Sequence, residues 1–515
     1  MNLLRCIPLL TLTVLLLGCN TGGGRSVGEA KMPVDTLFTV SVTDYGAVGD
    51  GMTLNTEAIQ RCIDAVSAHP NGGRVWIGPG RWLTGMVNIR SNVELYLDKE
   101  ATLLGSTNPY DYDGGSRRVG KRGDEDVSMA LIVSDSASNI RIVGRGTVDA
   151  QGLDLALAID SLHHIGERLD PNYNHRRHRP TTRPKLFFLA ESENILVHGI
   201  TLRNSAGWGL SLHDCTNVLI DSVTVVNRGY WNNDGIDMND CRNVVVRNCN
   251  VNAADDGICL KSDDPDSCCD GILIENCTIV SSASAVKFGT SSYGGFRNVT
   301  IRNIRVRDTF RSAIALETVD GGVLENVTVE NIEAKNTGNP LFVRLGARHP
   351  YGGTTDKREG GICRNITIRN LKAEVPFGRP DADYDLRGPE VNYFHNPWPS
   401  SITGIPGRYV ENVTLDNVDI IYPGRATKGM AYVGLYRVKE VDEAEQGYPE
   451  FTMFGELPSW AFYVRHVRGL TMSNIRVSLK DEDFRPAFVF DDVHGLSLSN
   501  INQPDAQVFK VDCSE

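Results

Sequence analysis

Three carboxylates stand close together in this chain. Asp234 lies in Trp231-Asn-Asn-Asp-Gly-Ile-Asp-Met238, and Asp255 and Asp256 lie in Ala254-Asp-Asp-Gly-Ile-Cys-Leu-Lys-Ser262. Laid over one another, Asp234-Gly235-Ile236-Asp237-Met238 and Asp256-Gly257-Ile258-Cys259-Leu260 share one pattern, 22 residues apart (256 − 234). That offset is about one unit of a stacked solenoid, roughly 20–45 residues. Residues in one column of successive strands sit about 4.8 Å apart. The spacing therefore predicts Asp234 beside Asp256, with Asp255 one position earlier. Crowded carboxylates repel, which raises the pKa of one member and suits general acid–base chemistry. Taken singly, Asn-Asp-Gly and Asp-Asp-Gly also read as turns, because Asn and Asp tolerate left-handed backbone and Gly permits positive φ. A purely structural turn would more naturally place Asn or Gly where neighbouring coils bring like charges together.

The elements that must carry these residues follow from a repeated phrase: Asn or Gly, an alternating apolar strand, an Asn, another alternating strand. It appears at Asn194, Asn217, Asn243, Gly271, Asn298, Asn326, Asn365, Asn412, Gly469 and Gly495, with steps of 26, 28, 27 and 28 residues between Asn217 and Asn326. Fixed-period self-similarity marks a repeat architecture, and period-2 alternation marks strands. The expected fold is all-β, a right-handed parallel β-helix. The same register extends to Trp208-Gly-Leu-Ser-Leu212, Ser284-Ala-Val-Lys-Phe288 and Ser312-Ala-Ile-Ala-Leu316. Before the repeats, Ala58, Ile59, Cys62, Ile63 and Val66 form one face of a helix with Asn55 or Thr56 as N-cap, a short N-terminal cap over the first coil. Four Asn-x-Thr sequons, at Asn298, Asn326, Asn365 and Asn412, are read as turn asparagines. Segments without strand pattern, at 111–126, 163–184, 340–361, 378–407 and 422–458, are expected to wall a groove. The second of these carries His164, His175 and His178, whose irregular spacing favours a solvated wall over a metal site.

Composition narrows the function classes. The chain has 515 residues, a formal net charge of −12 and no basic run, so nucleic acid is not an expected partner. Arg5 and the apolar stretch 9–17 form an export signal too short to span a bilayer. Leu16-Leu17-Gly18-Cys19 resembles the lipobox of bacterial lipoproteins, which implies lipid on Cys19 and a cell-envelope location, with the membrane engaged only through that lipid. The expected organisation is a signal peptide over 1–19, a flexible tether over 20–36, and one catalytic domain over 37–515, acting as a monomer. The cysteines cluster between Cys215 and Cys277. Cys249 and Cys277 fall at one point of successive repeats, which fits a stacked column of thiols as well as a bridge. No spacing matches a zinc site, so neither metal nor cofactor is expected.

The chain resembles glycoside hydrolase family 28, the polygalacturonase and rhamnogalacturonan-hydrolase family with its pectin lyase-like solenoid. The likeness runs from Asp44-Tyr-Gly-Ala-Val-Gly-Asp-Gly51 through the Asn-repeat coils. It is most specific at Asn232-Asn233-Asp234 and Asp255-Asp256, which match that family's Asn-Thr-Asp and Asp-Asp motifs. The resemblance implies that Asp255 is the general acid, that Asp234 and Asp256 hold and deprotonate the attacking water, and that the anomeric configuration inverts. It implies that Asn232 and Asp237 face the sugar. Two departures accompany it. The family's Gly-His-Gly falls at Ala283-Ser284-Ala285, and its Arg-Ile-Lys falls at Ala315-Leu316-Glu317, so both cations that grip a galacturonate carboxylate are replaced. Lys261, Lys287 and Arg311, the last in the column of Asp255, are the candidate substitutes. Glu317 is the candidate receiver of sugar hydroxyls if the substrate differs. Arg344, Arg348 and His349 are weaker candidates.

The expected function is hydrolysis of a pectin-type, galacturonate-containing polysaccharide or oligosaccharide. Two alternatives stay open. A polysaccharide lyase on this architecture would use Ca²⁺ and a Lys or Arg base. A non-catalytic glycan-binding solenoid would tolerate loss of Asp255, and fold alone does not choose between them.

Overall fold

Residues 37–113, 129–170, 173, 175, 180, 182–348, 361–381, 398–429, 438–502 and 508–511 are described by the computed structural model. Cys19, the export segment, the tether, most of the 111–126 stretch, His178 and His349 lie outside them.

The asparagine phrase sets the turns. Asn194, Asn217, Asn243, Asn298, Asn326, Asn365 and Asn412 all adopt φ between 53° and 58°, and the three glycines at the same point of the phrase, Gly271, Gly469 and Gly495, have φ of 66–72°. This left-handed conformation is open to Gly and, among other residues, mainly to Asn and Asp. The asparagine amides also stack: Asn326 donates to Asn298 at 3.2 Å, Asn365 to Asn326 at 3.1 Å and Asn412 to Asn365 at 3.2 Å. One residue type thus makes the corner and ties each corner to the previous coil. Three of the four sequon asparagines act as donors in this run, and the fourth, Asn298, donates to Asp270.

Between corners, alternation sends one side chain in and the next out. Strands Lys185–Ala190, Leu210–His213, Ile236–Asn239, Ile258–Ser262 and Val286–Ser292 stack in one column. Strands Glu193–His198, Thr216–Asp221, Arg242–Arg247 and Cys269–Glu275 form a second, and Thr201–Arg203, Thr224–Asn227, Asn250–Ala253 and Thr278–Ser281 a third. All ladders between the described strands are parallel, in a single sheet that winds through the chain. Crossovers between parallel strands turn right-handed, and the fold is a right-handed parallel β-helix. Its interior is one continuous core from Val40 to Phe490, built mainly of Ile, Val and Leu at the inward positions.

Helix α1, Thr56–Ala68, buries Ala58, Ile59, Cys62, Ile63 and Val66 against the first strands, as its periodicity predicts. Asn55 occupies the N-cap position but makes no capping bond. Its side chain instead accepts from Val48 N (2.7 Å) and donates to Thr53 O and Leu83 O, pinning a preceding loop. A second helix, α2 (Gly152–His164), was not expected. It presents only Leu155, Ala156 and Ile159 inward and leaves Leu153 and Leu157 about half exposed, so its apolar pattern is weak. The described cysteines are all free, and Cys249 and Cys277 stack as thiols immediately before neighbouring strands.

Two of the wall segments contain structure that the pattern hides. Strand Val323–Leu345 continues through Pro340, and a four-residue strand, Ser400–Thr403, lies beside Phe342–Arg344. Residues 438–460, within and just beyond the last wall segment, cover the outer face of the coils that follow the acidic cluster. Val438, Phe451, Phe454 and Leu457 pack on Ala315, Phe342, Tyr463 and Val489.

Candidate active site

Ser211, Asp237, Cys259, Lys287 and Ala315 stack on one another along the first column of strands and its continuation. At the start of these strands, one carboxylate oxygen from each of Asp234, Asp255 and Asp256 lies within 4.8 Å of the other two. The glycines that follow Asp234 and Asp256 serve the stacking rather than a turn. A Cβ on Gly235 would stand 2.4 Å from Gly257 O, and one on Gly257 would stand 2.6 Å from Ala285 O. Neither distance is tolerable, so Gly permits the coils to close up where the acids converge. Asn227 and Asn233 hold the first motif in place. Asn227 Nδ2 donates to Asp234 O at 2.7 Å, and the buried Asn233 donates to Ser205 O (3.0 Å) and accepts from Tyr230 N (2.6 Å).

The charges are arranged in opposed pairs. Lys261 Nζ is 3.4 Å from both Asp234 Oδ2 and Asp237 Oδ1, and Lys287 Nζ is 3.1 Å from Asp256 Oδ2. Burial pushes Asp234 well above the usual carboxylate range, and neighbouring Asp237 adds to it against Lys261. Burial, then Asp256, raises Asp255, with Arg311, Lys287 and Lys261 opposing. Asp256 goes the other way. Burial raises it too, but Lys287, Lys261, Arg311 and the Ser284 N–H at 3.1 Å outweigh that cost and hold it below its ordinary value. Neighbouring carboxyls pushed to opposite sides of their ordinary value are the electrostatic mark of an acid–base pair.

The other sequence candidates separate into groups. Asp237 is fully buried beside Lys261, and burial raises its carboxyl to about 6 against Lys261 and Lys185. Asn232 flanks the cluster, and its Oδ1 accepts from Arg183 at 2.9 Å. Arg311 sits two coils beyond Asp255, past Ala283, and pairs with Glu450 at 2.9 Å. Arg344 and Arg348 are engaged structurally. The first donates to Gly404 O, Glu443 O and Ala444 O, and the second clasps Asp320.

Residues that sequence reasoning passed over complete the surroundings. Lys185 and Lys261 place their ammonium groups 4.3 and 4.6 Å from the Trp208 ring centroid, a cation–π arrangement on one side of the acids. On the other side Tyr448, half exposed, accepts from Lys287 Nζ at 3.3 Å. Trp208 and Lys185 share the column of Asp234, a signal present in the register. Tyr448 and Glu450 come from a segment without periodicity and carry none.

Glu317 lies at that same edge, 2% exposed, and its Oε2 has no hydrogen-bond partner. Burial, against Lys287, raises its carboxyl from 4.5 to about 8. The folded state then keeps a proton that the unfolded chain releases, so stability falls as pH rises from 4.5 to about 8. Glu317→Gln carries no such proton. Its melting temperature relative to the parent is expected to be constant below the lower value, to climb through the window and to level off above it. Calorimetry over that pH range checks this, and a pH-independent difference would contradict the burial of an ionisable group.

Comparison with known proteins adds family context to this geometry. The sequence pattern of glycosyl hydrolases family 28 matches residues 92–379. A probable polygalacturonase of Vitis vinifera is 29% identical over 332 residues, covering 61% of this chain and 64% of the relative. An exo-poly-alpha-D-galacturonosidase of Dickeya chrysanthemi is 30% identical over 253 residues, covering 42% of this chain and 41% of the relative. The chain thus spans less than two thirds of the length of either. Among solved structures, a family 28 exopolygalacturonase of Yersinia enterocolitica superposes with a TM-score of 0.66 at 20% identity, over 91% of this chain and 79% of the other, a likeness of fold.

Proposed function

The chain belongs to glycosyl hydrolases family 28, and from that premise we propose that it hydrolyses glycosidic bonds in a pectin-type, galacturonate-containing substrate. The observation that carries this reading is the approach of Asp234, Asp255 and Asp256 to within 4.8 Å, with Asp255 raised and Asp256 lowered. Asp255 donates its proton to the glycosidic oxygen as the bond from that oxygen to the anomeric carbon breaks. Water held by Asp234 and Asp256 attacks that carbon and passes its proton to Asp256. Asp255 ends ionised and Asp256 protonated, and exchange with solvent restores both. Asn232 contacts the sugar. Asp237, which has no exposed surface, acts on it only through Lys261 and not by the direct contact expected from the sequence. Lys185 and Lys261, over Trp208, supply positive charge for a uronate carboxylate.

The attack is proposed to invert the anomeric centre. Inverting enzymes usually separate their carboxyls by about 6.5–9.5 Å and retaining ones by about 5–5.5 Å. Here the base side is a pair of carboxyls rather than one, with one oxygen of each of the three acids within 4.8 Å of the others. Proton NMR of the first-formed product decides between them. The β anomer is expected from an α-linked galacturonide, and initial appearance of the α anomer would overturn the single-displacement mechanism. A product with uronate unsaturation would instead identify a lyase.

A further inference from the structure

Between strands Thr224–Asn227 and Ile236–Asn239 the chain leaves the ladder, and this stretch delivers Asp234. Buried backbone groups still need partners there, so side chains must supply them. Asn233 holds one part of the stretch, through Ser205 O and Tyr230 N. Arg183 holds the other. It stands two coils earlier, just before strand Lys185–Ala190, and is 8% exposed. Its Nη1 donates to Ala206 O in the next coil and to Trp231 O in the coil after that, and its Nη2 donates to Asn232 Oδ1 at 2.9 Å. The same guanidinium lies 5.2 Å from the Tyr230 ring centroid. One buried cation therefore engages Tyr230, Trp231 and Asn232 in succession.

This clamp reaches the acids by two routes. Asn232 has φ of 55°, and the next carbonyl, Asn233 O, accepts from Asp255 N at 3.3 Å. The stretch thus sets the place of Asp255 as well as that of Asp234, two residues on. The second route is the Asn232 amide. Arginine only donates, so the amide atom that faces it is Oδ1, and the two hydrogens on Nδ2 are turned away from the guanidinium. We infer that Arg183 is a positioning residue of the cleft, which ties residues 230–232 to an earlier coil, sets the place of Asp234 and Asp255, and turns the donor end of Asn232 to the sugar. This rests on the hydrolase reading above and adds a residue that acts through others without touching the reacting atoms. The planar fork suits the task, since its N–H groups are fixed relative to one another, whereas an ammonium is a point charge on a flexible stem.

Arg183→Lys keeps the charge near the acids and removes the fork, which separates position from electrostatics. In the full chain acting on galacturonate-containing oligosaccharides, kcat is expected to fall by about 10²-fold, the cost of roughly 1 Å of misplacement. Asn232→Gly, which keeps the left-handed backbone, supplies the partner for a double-mutant cycle. The loss in the double variant is expected to fall short of the product of the single losses by about tenfold, because both changes cut one path. A merely structural role for Arg183 predicts losses that multiply, and that result overturns the inference. So does an Arg183→Lys variant within about twofold of the parent. Should Arg183→Lys not fold, Asn232→Gly decides alone: a loss of about tenfold in kcat/KM at an unchanged melting temperature supports the inference. An unchanged kcat/KM overturns it, since the amide that Arg183 orients would then do nothing. A parent that cleaves none of these oligosaccharides overturns the hydrolase reading and this inference together.

Discussion

Asp255→Asn is expected to lower kcat by about 10²–10⁴-fold, the range of a lost general acid, with the fold unchanged. The structure makes this a clean substitution. Asp255 is partly exposed, its Oδ1 accepts from the Asp256 N–H at 3.0 Å, and its backbone carbonyl accepts from Ser281 Oγ. An amide oxygen keeps the first of these bonds, so the local backbone has no reason to move, and only the transferable proton is lost. The deficit should depend on the leaving group. A substrate that departs as a stable phenolate needs little protonation, so an aryl galacturonide should recover most of the rate while a sugar leaving group should not. A glycan-binding solenoid predicts no change in either. Asp234→Asn or Asp256→Asn should act on both substrates alike, because activation of the water does not depend on what leaves. Losses within such a unit are not additive, so the double variants carry less information than the leaving-group comparison.

What the sequence disclosed, and what it hid, follows from which interactions repeat. Ladder pairing imposes a period, and every register inferred from it is present: Leu210, Ile236, Ile258, Val286 and Ile314 occupy one inward column. The adjacency of Asp234 and Asp256 is a consequence of that column. The role of Gly235 and Gly257 was not legible, because a glycine tolerated at a turn and one required by close backbone approach look alike in sequence. Helix α2 was missed since its few inward residues give little periodicity. Tyr448 and Glu450 were reachable only as part of an aperiodic wall, for they meet Lys287 and Arg311 across more than a hundred residues of chain, and no repeat encodes such a contact. Arg344 and Arg348 show the converse hazard. Their type suggested a ligand for the substrate, whereas hydrogen bonds commit the buried Arg344 to backbone carbonyls and the partly buried Arg348 to Asp320.

Lys287→Met tests the electrostatics directly, since it keeps the length of a side chain only 3% exposed and removes its charge. Lys287 is the strongest influence holding Asp256 ionised against the cost of burial. Without it, Lys261 and Arg311 remain at greater reach and burial prevails, so Asp256 shifts upward and the water-activating base becomes protonated over part of the working range. The kcat/KM at neutral pH is expected to fall by about 10²-fold, and the acidic limb of the pH profile to move to higher pH. Part of the loss should be recovered as pH rises, which a merely structural defect would not produce. The stability change has its own sign. Asp256 has a lowered pKa in the folded state, so it contributes stability that is present above its ordinary value of 3.8 and is lost as pH falls through the folded value. In the variant that contribution vanishes, and removing one partner of a buried ion pair costs about 3–5 kcal/mol. The gap in melting temperature between parent and variant should therefore be widest at neutral pH and narrow below the ordinary carboxylate value. A gap that does not narrow, or an acidic limb that stays in place, would mean that Lys287 supports the cleft by packing alone.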